Sequence, residues 1–186
     1  MKLLDAIEKR RSIRKFKDKK VKWSDVLEAI DSALKAPLAG NINTLKFIIV
    51  ADQKTKNELA KYADQDWISD ADIVAVACSD ETHLKTIYED RSSNYSKQQV
   101  GAAIQNFLLR ITDLGLSSCW IGAFLESEIK TILHIPEHVN VEAILPVGYA
   151  DEKPKLTKKE SLENCIYWDF YGIKKRPTLI KDPKTW

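Results

Sequence analysis

Residues Ile73 to Cys78, the centre of DIVAVACS (72–79), are apolar at every position rather than at alternate ones. A strand with one wet face alternates, so an unbroken run belongs to a sheet covered on both faces. LKFIIVA (45–51) is a second buried strand of this type, and VEAILPVGYA (141–150) a further one. SSCWIGAF (117–124) reads as a strand followed by a turn. Pro146 lacks an N–H for the ladder and predicts an edge or an irregular stretch.

Helical spacing fills the gaps. Val100, Ala103, Ile104, Phe107, Leu108, Ile111 and Leu114 hold a 3.6-residue period over 98–114, the strongest helix, with Gly115 as its stop. Gly101, Ala102 and Ala103 make a small-residue patch early in it, where another backbone could approach. Residues 2–11 predict a short helix with Leu3, Leu4 and Ile7 on one face. Ser24 and Asp25 open another, carrying Val26, Leu27, Ile30, Ala33 and Leu34, which Pro37 and Gly40 break. Asp52 caps a helix through about Tyr62, and a helix near 126–134 ends before Pro136. Residues 80–97 are polar and read as a loop with partial helix. The last 35 residues show little periodicity but hold Trp168, Phe170, Tyr171 and Trp186, an aromatic set suited to packing on a second subunit. Strands separated by helices argue an α/β or α+β sandwich with a covered sheet.

At 186 residues the chain suits one domain. No apolar run approaches the roughly 20 residues of a membrane helix. The N-terminus enters an amphipathic pattern at once, which argues against a signal peptide. Cys78, Cys119 and Cys165 are odd in number and set among apolar neighbours, and read as reduced, buried thiols of a cytoplasmic protein.

Chemistry-bearing patterns are sparse. His134 and His138 stand four apart, but Pro136 between them breaks the helix that would align two metal ligands. His83 is alone, so no metal site is expected. G-x-S-x-G, G-x-G-x-x-G and the P-loop pattern are all missing, and no cysteine lies in an evident electropositive setting.

Charge is the exception. The net charge is only +2, yet residues 1–22 carry ten Lys/Arg against three Asp/Glu, or +7, leaving −5 for the rest. The run KRRSIRKFKDKK (9–20) holds three of the chain's six arginines around Ser12. Arginine forks bind phosphate bidentately, and a serine hydroxyl completes such a cradle. A solvated charged face has the same composition. Confinement to one end, with Phe16 as the single interleaved aromatic residue, weighs against a nucleic-acid surface. The turn APLAGNINTLKF (36–47) offers Asn41 and Asn43, amides that suit a planar heterocycle or the closing of a turn.

The ordered set RRSIRKF, APLAGNINTLKF, DQDWISDADIVAVACSD (64–80), GAAIQNFLLRITDLGLSSCWIGAF (101–124) and ILPVGYADEKP (144–154) resembles the nitroreductase family of flavoproteins over nearly the whole chain. The resemblance implies an α+β sandwich whose mixed or antiparallel central sheet is covered by helices. It implies one flavin-binding domain over 1–186, with a C-terminal extension packing on the partner of a homodimer. FMN would sit at the subunit interface, NADH or NADPH would reduce it, and a nitroaromatic, quinone or other small acceptor would take the electrons by a ping-pong reaction. Reductive dehalogenation or ring dehydrogenation on the same flavin is the alternative.

Carried over by position, Arg10, Arg11 and Ser12 would hold the FMN phosphate and ribityl chain, and Arg14 the pyrimidine end. Pro37, Leu38, Ala39, Asn41 and Asn43 would approach from the other subunit. Ile121, Gly122 and Ala123 would run beside the ring, with a backbone N–H facing N5. Lys158 or Lys159 would reach the phosphate. Hydride transfer then belongs to the cofactor, so no catalytic side chain is expected. Leu38 stands where the family usually has a small hydroxyl residue, Asn43 where glutamine is common, and Asp72 where proline is frequent. The short 80–97 segment implies a more open acceptor site.

Overall fold

The computed structural model describes residues 1–155 and 157–176. They fall into two units, Met1–Pro154 and Lys155–Trp186. In the first, the apolar runs form an antiparallel sheet of order β1-β2-β4-β3. Its strands are β1 (Leu45–Val50), β2 (Ile73–Asp80), β3 (Ser117–Ser118) and β4 (Val139–Gly148). The architecture is α+β.

The unbroken apolarity of β2 has a direct cause. Ile73, Ala75 and Ala77 pack into one core with α2 (Trp23–Ala33) and α5 (Ser92–Asp113). Val74, Val76 and Cys78 pack into the other with α3 (Gln53–Tyr62) and α6 (Glu126–Leu133). Both faces of the strand are therefore dry. On α5, Ile104, Phe107 and Ile111 are fully buried, each contributing about 1.5–3 kcal/mol of apolar transfer. Asp52 caps α3 as predicted, its carboxylate accepting the Thr55 N–H at 2.8 Å.

Several expectations are corrected. β1 is an edge strand of the sheet among the described residues and is only half-buried between Leu45 and Val50. Pro146 lies opposite Val74 at an irregular stretch of β4, one of the two outcomes its missing N–H predicts. The Ile144 N–H points toward Ile121, so the Pro146 nitrogen two residues on faces the same side. Pairing on that side lapses between the Ile121–Ile144 bridge and β3, so the missing donor costs nothing. Residues 80–97 are ordered helix: α4 (Thr82–Tyr88), a 3-10 turn (Glu89–Arg91), then the start of α5. Their buried positions include Ser92 and Ser96, so hydropathy gave no stripe to read. Helix α1 (Leu3–Lys9) leaves its apolar face open, with Leu3 69% exposed.

Phe16 packs against Gly148, where a Cβ would lie 2.7 Å from the ring. Gly148→Ala therefore expels the ring or strains β4, and should lower stability by about 1–3 kcal/mol in thermal or denaturant unfolding. An unchanged midpoint would show that the contact yields freely.

Cys78 and Cys119 are buried, but Cys165 is exposed. Burial, with Glu142 and Glu126 adding repulsion, pushes the Cys78 thiol up to about 12, so it stays protonated. No helix of the described residues is long and apolar enough to cross a membrane. In the second unit, α7 (Leu162–Cys165) is one turn, Trp168 is half-buried, and Phe170 and Tyr171 are exposed. Trp186 lies outside the described residues.

Candidate flavin cradle

The basic run is an extended strap laid along the sheet's end. The Ile13 N–H donates to the Ser118 carbonyl at 3.1 Å, Lys17 N–H to Tyr149 at 2.8 Å, and Asp151 N–H to Lys15 at 2.9 Å. Ile13 and Phe16 turn inward and pack with Ala71, Trp67 and Ala150. That anchoring fixes the intervening polar side chains on the outer side. Arg10, Arg11 and Ser12 are half-buried and Arg14 is exposed.

Carboxylates pin the strap at two points. Glu152 accepts the backbone N–H groups of Arg14 at 2.5 Å and Lys15 at 3.1 Å. Asp72 accepts the Val21 N–H at 2.7 Å and the Lys20 ammonium at 2.8 Å. Burial alone would raise the Asp72 carboxyl, but its bonds from Lys20 and Val21 outweigh it and hold the group below its ordinary value. Asp72, noted above for standing in place of proline, thus has a fixed structural task.

The arginines have different freedoms. Arg11 spends one guanidinium nitrogen on the carbonyls of Glu8 at 2.5 Å and Arg10 at 2.7 Å, closing the end of α1. Arg14 lies 6.0 Å from the Trp67 ring centroid, the range of a cation–π contact. Burial raises the Cys119 thiol, opposed by Arg14, the Ser12 hydroxyl and Arg10. Ser12 bridges Ser118, next to Cys119, and the charges of Arg14 and Arg10 favour the thiolate there while that of Glu152 opposes it. Burial still prevails, leaving a neutral thiol.

One residue here was missed. Ser118 pairs with Ser12 in a parallel bridge, and its hydroxyl is buried with no partner among the described residues. A buried hydroxyl without a partner costs about 1–3 kcal/mol. Oxygens of a phosphate or ribityl chain would satisfy it, so the residues present fit the group that the sequence implies.

From Ser118 the chain runs to the remaining candidates. Ile121 is buried and bridges Ile144 through two bonds of 3.1 and 3.0 Å. Gly122 and Ala123 are exposed, and the absence of any atom within 4 Å of a Gly122 Cβ leaves that backbone open.

The turn residues form a separate group, with no hydrogen bond to the basic strap among the described residues. Pro37 leads into a 3-10 turn, Ala39–Asn41. The Asn43 amide closes a turn, accepting the Leu45 N–H at 3.0 Å and donating to the Leu45 carbonyl at 3.4 Å. Of the two uses open to it in the sequence, this is the observed one. Asn41 is exposed with φ of 58°, and Leu38 is half-buried. Gln99 on α5 holds this loop and was not foreseen. Its carbonyl accepts the Ala39 N–H at 3.1 Å, while its amide donates to the Ile42 carbonyl at 3.2 Å and the Thr44 hydroxyl at 2.7 Å. Thr44 in turn meets Ser96 at 3.1 Å. Lys158 and Lys159 are exposed residues of the second unit.

The sequence model of the nitroreductase family matches residues 7–149. An iodotyrosine deiodinase from Thermotoga neapolitana is 26% identical over 175 residues, covering 85% of this chain and 94% of its own. An NADPH-flavin oxidoreductase from Vibrio harveyi is 26% identical over 162 residues, covering 82% and 68%. Among solved structures, a nitroreductase family protein from Clostridium novyi superposes with a TM-score of 0.75 at 28% identity, covering 93% of this chain and 96% of that one. With the family's pattern matched across most of its length and its fold reproduced, the chain belongs to the nitroreductase family.

Proposed function

We propose that the chain is an NAD(P)H-dependent FMN oxidoreductase that works as a homodimer, with residues 1–186 as one flavin-binding domain. Membership of the family and similarity to a flavin oxidoreductase support the enzyme class and its cofactors. The observation that carries the site is the unpartnered Ser118 hydroxyl beside Ser12, on the strap that also bears Arg10 and Arg14.

Arg10, Arg11 and Ser12 hold the phosphate and ribityl chain, joined by Ser118. Arg14 places positive charge at the pyrimidine end, where it favours a negatively charged ring. Ile121, Gly122 and Ala123 line the ring with backbone, and the open Gly122 leaves room for a planar group. Pro37, Leu38, Ala39, Asn41 and Asn43 close the site from the partner subunit, with Gln99 keeping their loop rigid. When bound, FMN supplies the two-electron transfer that no side chain here provides. The protein's part is to orient the donor and acceptor in turn and to exclude water.

The exposed apolar residues Leu3, Leu4 and Ile7 on α1, with Trp23 and Leu27 on α2, support a dimer, since monomers rarely leave such surface bare. We place the enzyme in the cytoplasm, with nitroaromatic or quinone acceptors. Reductive dehalogenation stays as a second reading, favoured by the likeness to an iodotyrosine deiodinase.

Initial rates at varied NADH and 4-nitrobenzyl alcohol should give parallel double-reciprocal lines. Intersecting lines would refute the ping-pong order. Halide release from a halogenated phenol, with no nitro reduction, would select the second reading.

A further inference from the structure

A cavity of about 620 Å³ opens beside Gly122 and Phe124, and carries charge that the flavin cradle does not use. Glu81 lines it. This side chain is only 3% exposed, and its Oε1 has no hydrogen-bond partner among the described residues. Its other oxygen lies 3.4 Å from the Lys85 ammonium.

Glu142 reaches the same cavity by a backbone device. Ala77 pairs with Ala143 and Cys78 with Val141, so Glu142 is the unpaired residue of a bulge in β4. Bulges re-aim side chains, and this one turns a carboxylate out of the sheet's alternation into the cavity. One Glu142 oxygen accepts the Ser79 hydroxyl at 2.6 Å, which leaves the other available. Glu126 uses one oxygen to accept the Val141 N–H at 2.9 Å and to meet Lys130 at 3.4 Å, so its charge is already paired with a half-buried ammonium.

The free capacity of the floor is thus acceptor capacity on carboxylates, and of these Glu81 and Glu142 have no half-buried cation beside them. Of the cations near it, Lys85 and Lys97 are exposed and screened by water and Lys130 is spent on Glu126, whereas Glu81 is buried. A buried carboxylate oxygen without a donor is costly, and a charged donor satisfies it best.

We infer that this cavity is an acceptor subsite for a protonated amine, whose ammonium donates to Glu81 and Glu142 while its carbon body lies against Phe124. It rests on the flavin assignment for its role in turnover, because Gly122 is shared between the cavity and the expected ring edge. Acceptors bearing an ammonium group near the reducible centre are then the substrates this chain selects.

Calorimetric titration of the purified full chain with benzylamine, benzyl alcohol and benzoate tests the subsite, with flavin content recorded on the same sample. Benzylamine should bind at least about 10-fold more tightly than benzyl alcohol, the scale of one charge-assisted hydrogen bond. Glu81→Gln should abolish that preference and Glu142→Gln should reduce it, with flavin content and thermal midpoint unchanged. Equal binding of all three compounds, or a preference for benzoate, would overturn the subsite. The wild-type contrast decides even if Glu81→Gln does not fold. An amine preference in a chain that takes up no flavin would uphold the subsite and sink the flavin assignment alone.

Discussion

Replacing Arg10 and Arg11 together by alanine lowers FMN affinity by roughly 100-fold or more, while circular dichroism and the thermal midpoint stay near those of the wild type. Charge-assisted bonds to phosphate are worth about 1.5–3 kcal/mol each, so two guanidinium groups account for a loss of that size. Neither side chain belongs to the core; Ile13 and Phe16 anchor the strap between them and the sheet. Arg11 contributes less than Arg10, because one of its nitrogens already serves the carbonyls at the end of α1. Single variants should therefore rank with Arg10→Ala the more damaging. Flavin fluorescence released on denaturation measures occupancy. Full stoichiometric flavin in the double variant would place the phosphate elsewhere.

The second large effect is at Gln99, which touches no cofactor in the proposed arrangement. Gln99→Leu leaves the Ala39 N–H and the Ile42 carbonyl without their partner, and strands the Thr44 hydroxyl between Ser96 and an apolar chain. Each orphaned buried group costs about 1–3 kcal/mol, so unfolding should require about 3 kcal/mol less. Flavin affinity should fall with it, since the loop holding Pro37 to Asn43 loses its tie to α5. Thr44→Val is the matched control. It keeps both backbone ties but orphans the Ser96 hydroxyl and one Gln99 N–H, and should cost about 2–3 kcal/mol with flavin binding nearly intact, so flavin affinity is what separates the two variants. If Gln99→Leu kept wild-type stability, the loop would be held by packing alone.

The legible and illegible parts of the fold divide along physical lines. β2 was legible because both its faces meet apolar neighbours, and α5 because Val100 to Ile111 keep a helical period. The cap at Asp52 was legible because capping is local. The beginning of α5 was not, because its buried positions are Ser92, Ser96 and Gln99, polar residues whose burial depends on partners such as Thr44, far away in sequence. β1 looked like an interior strand from its composition, yet strand order is a property of pairing and leaves no local mark. Leu3, Leu4 and Ile7 read as one helix face by spacing, and nothing local in the sequence says that this face stays exposed in the chain.

The site shows the same division. Arg10 and Arg14 stood out by charge and Ser12 by its place between them, and the structure lays all three on one strap that bridges Ser118. Ser118 and Gln99 carry no motif, and their significance appears only as an unpartnered hydroxyl and a triply bonded amide. Glu81 and Glu142 were hidden among many carboxylates until a bulge and a buried, unpaired oxygen distinguished them.

The visible absorption spectrum of the purified protein, recorded before and after anaerobic addition of NADH, tests the central claim most directly. Bound FMN should give the yellow flavin bands, and NADH should bleach them without any added mediator. A colourless protein that takes up no FMN on incubation would contradict the flavin cradle and leave the basic strap as solvated surface charge.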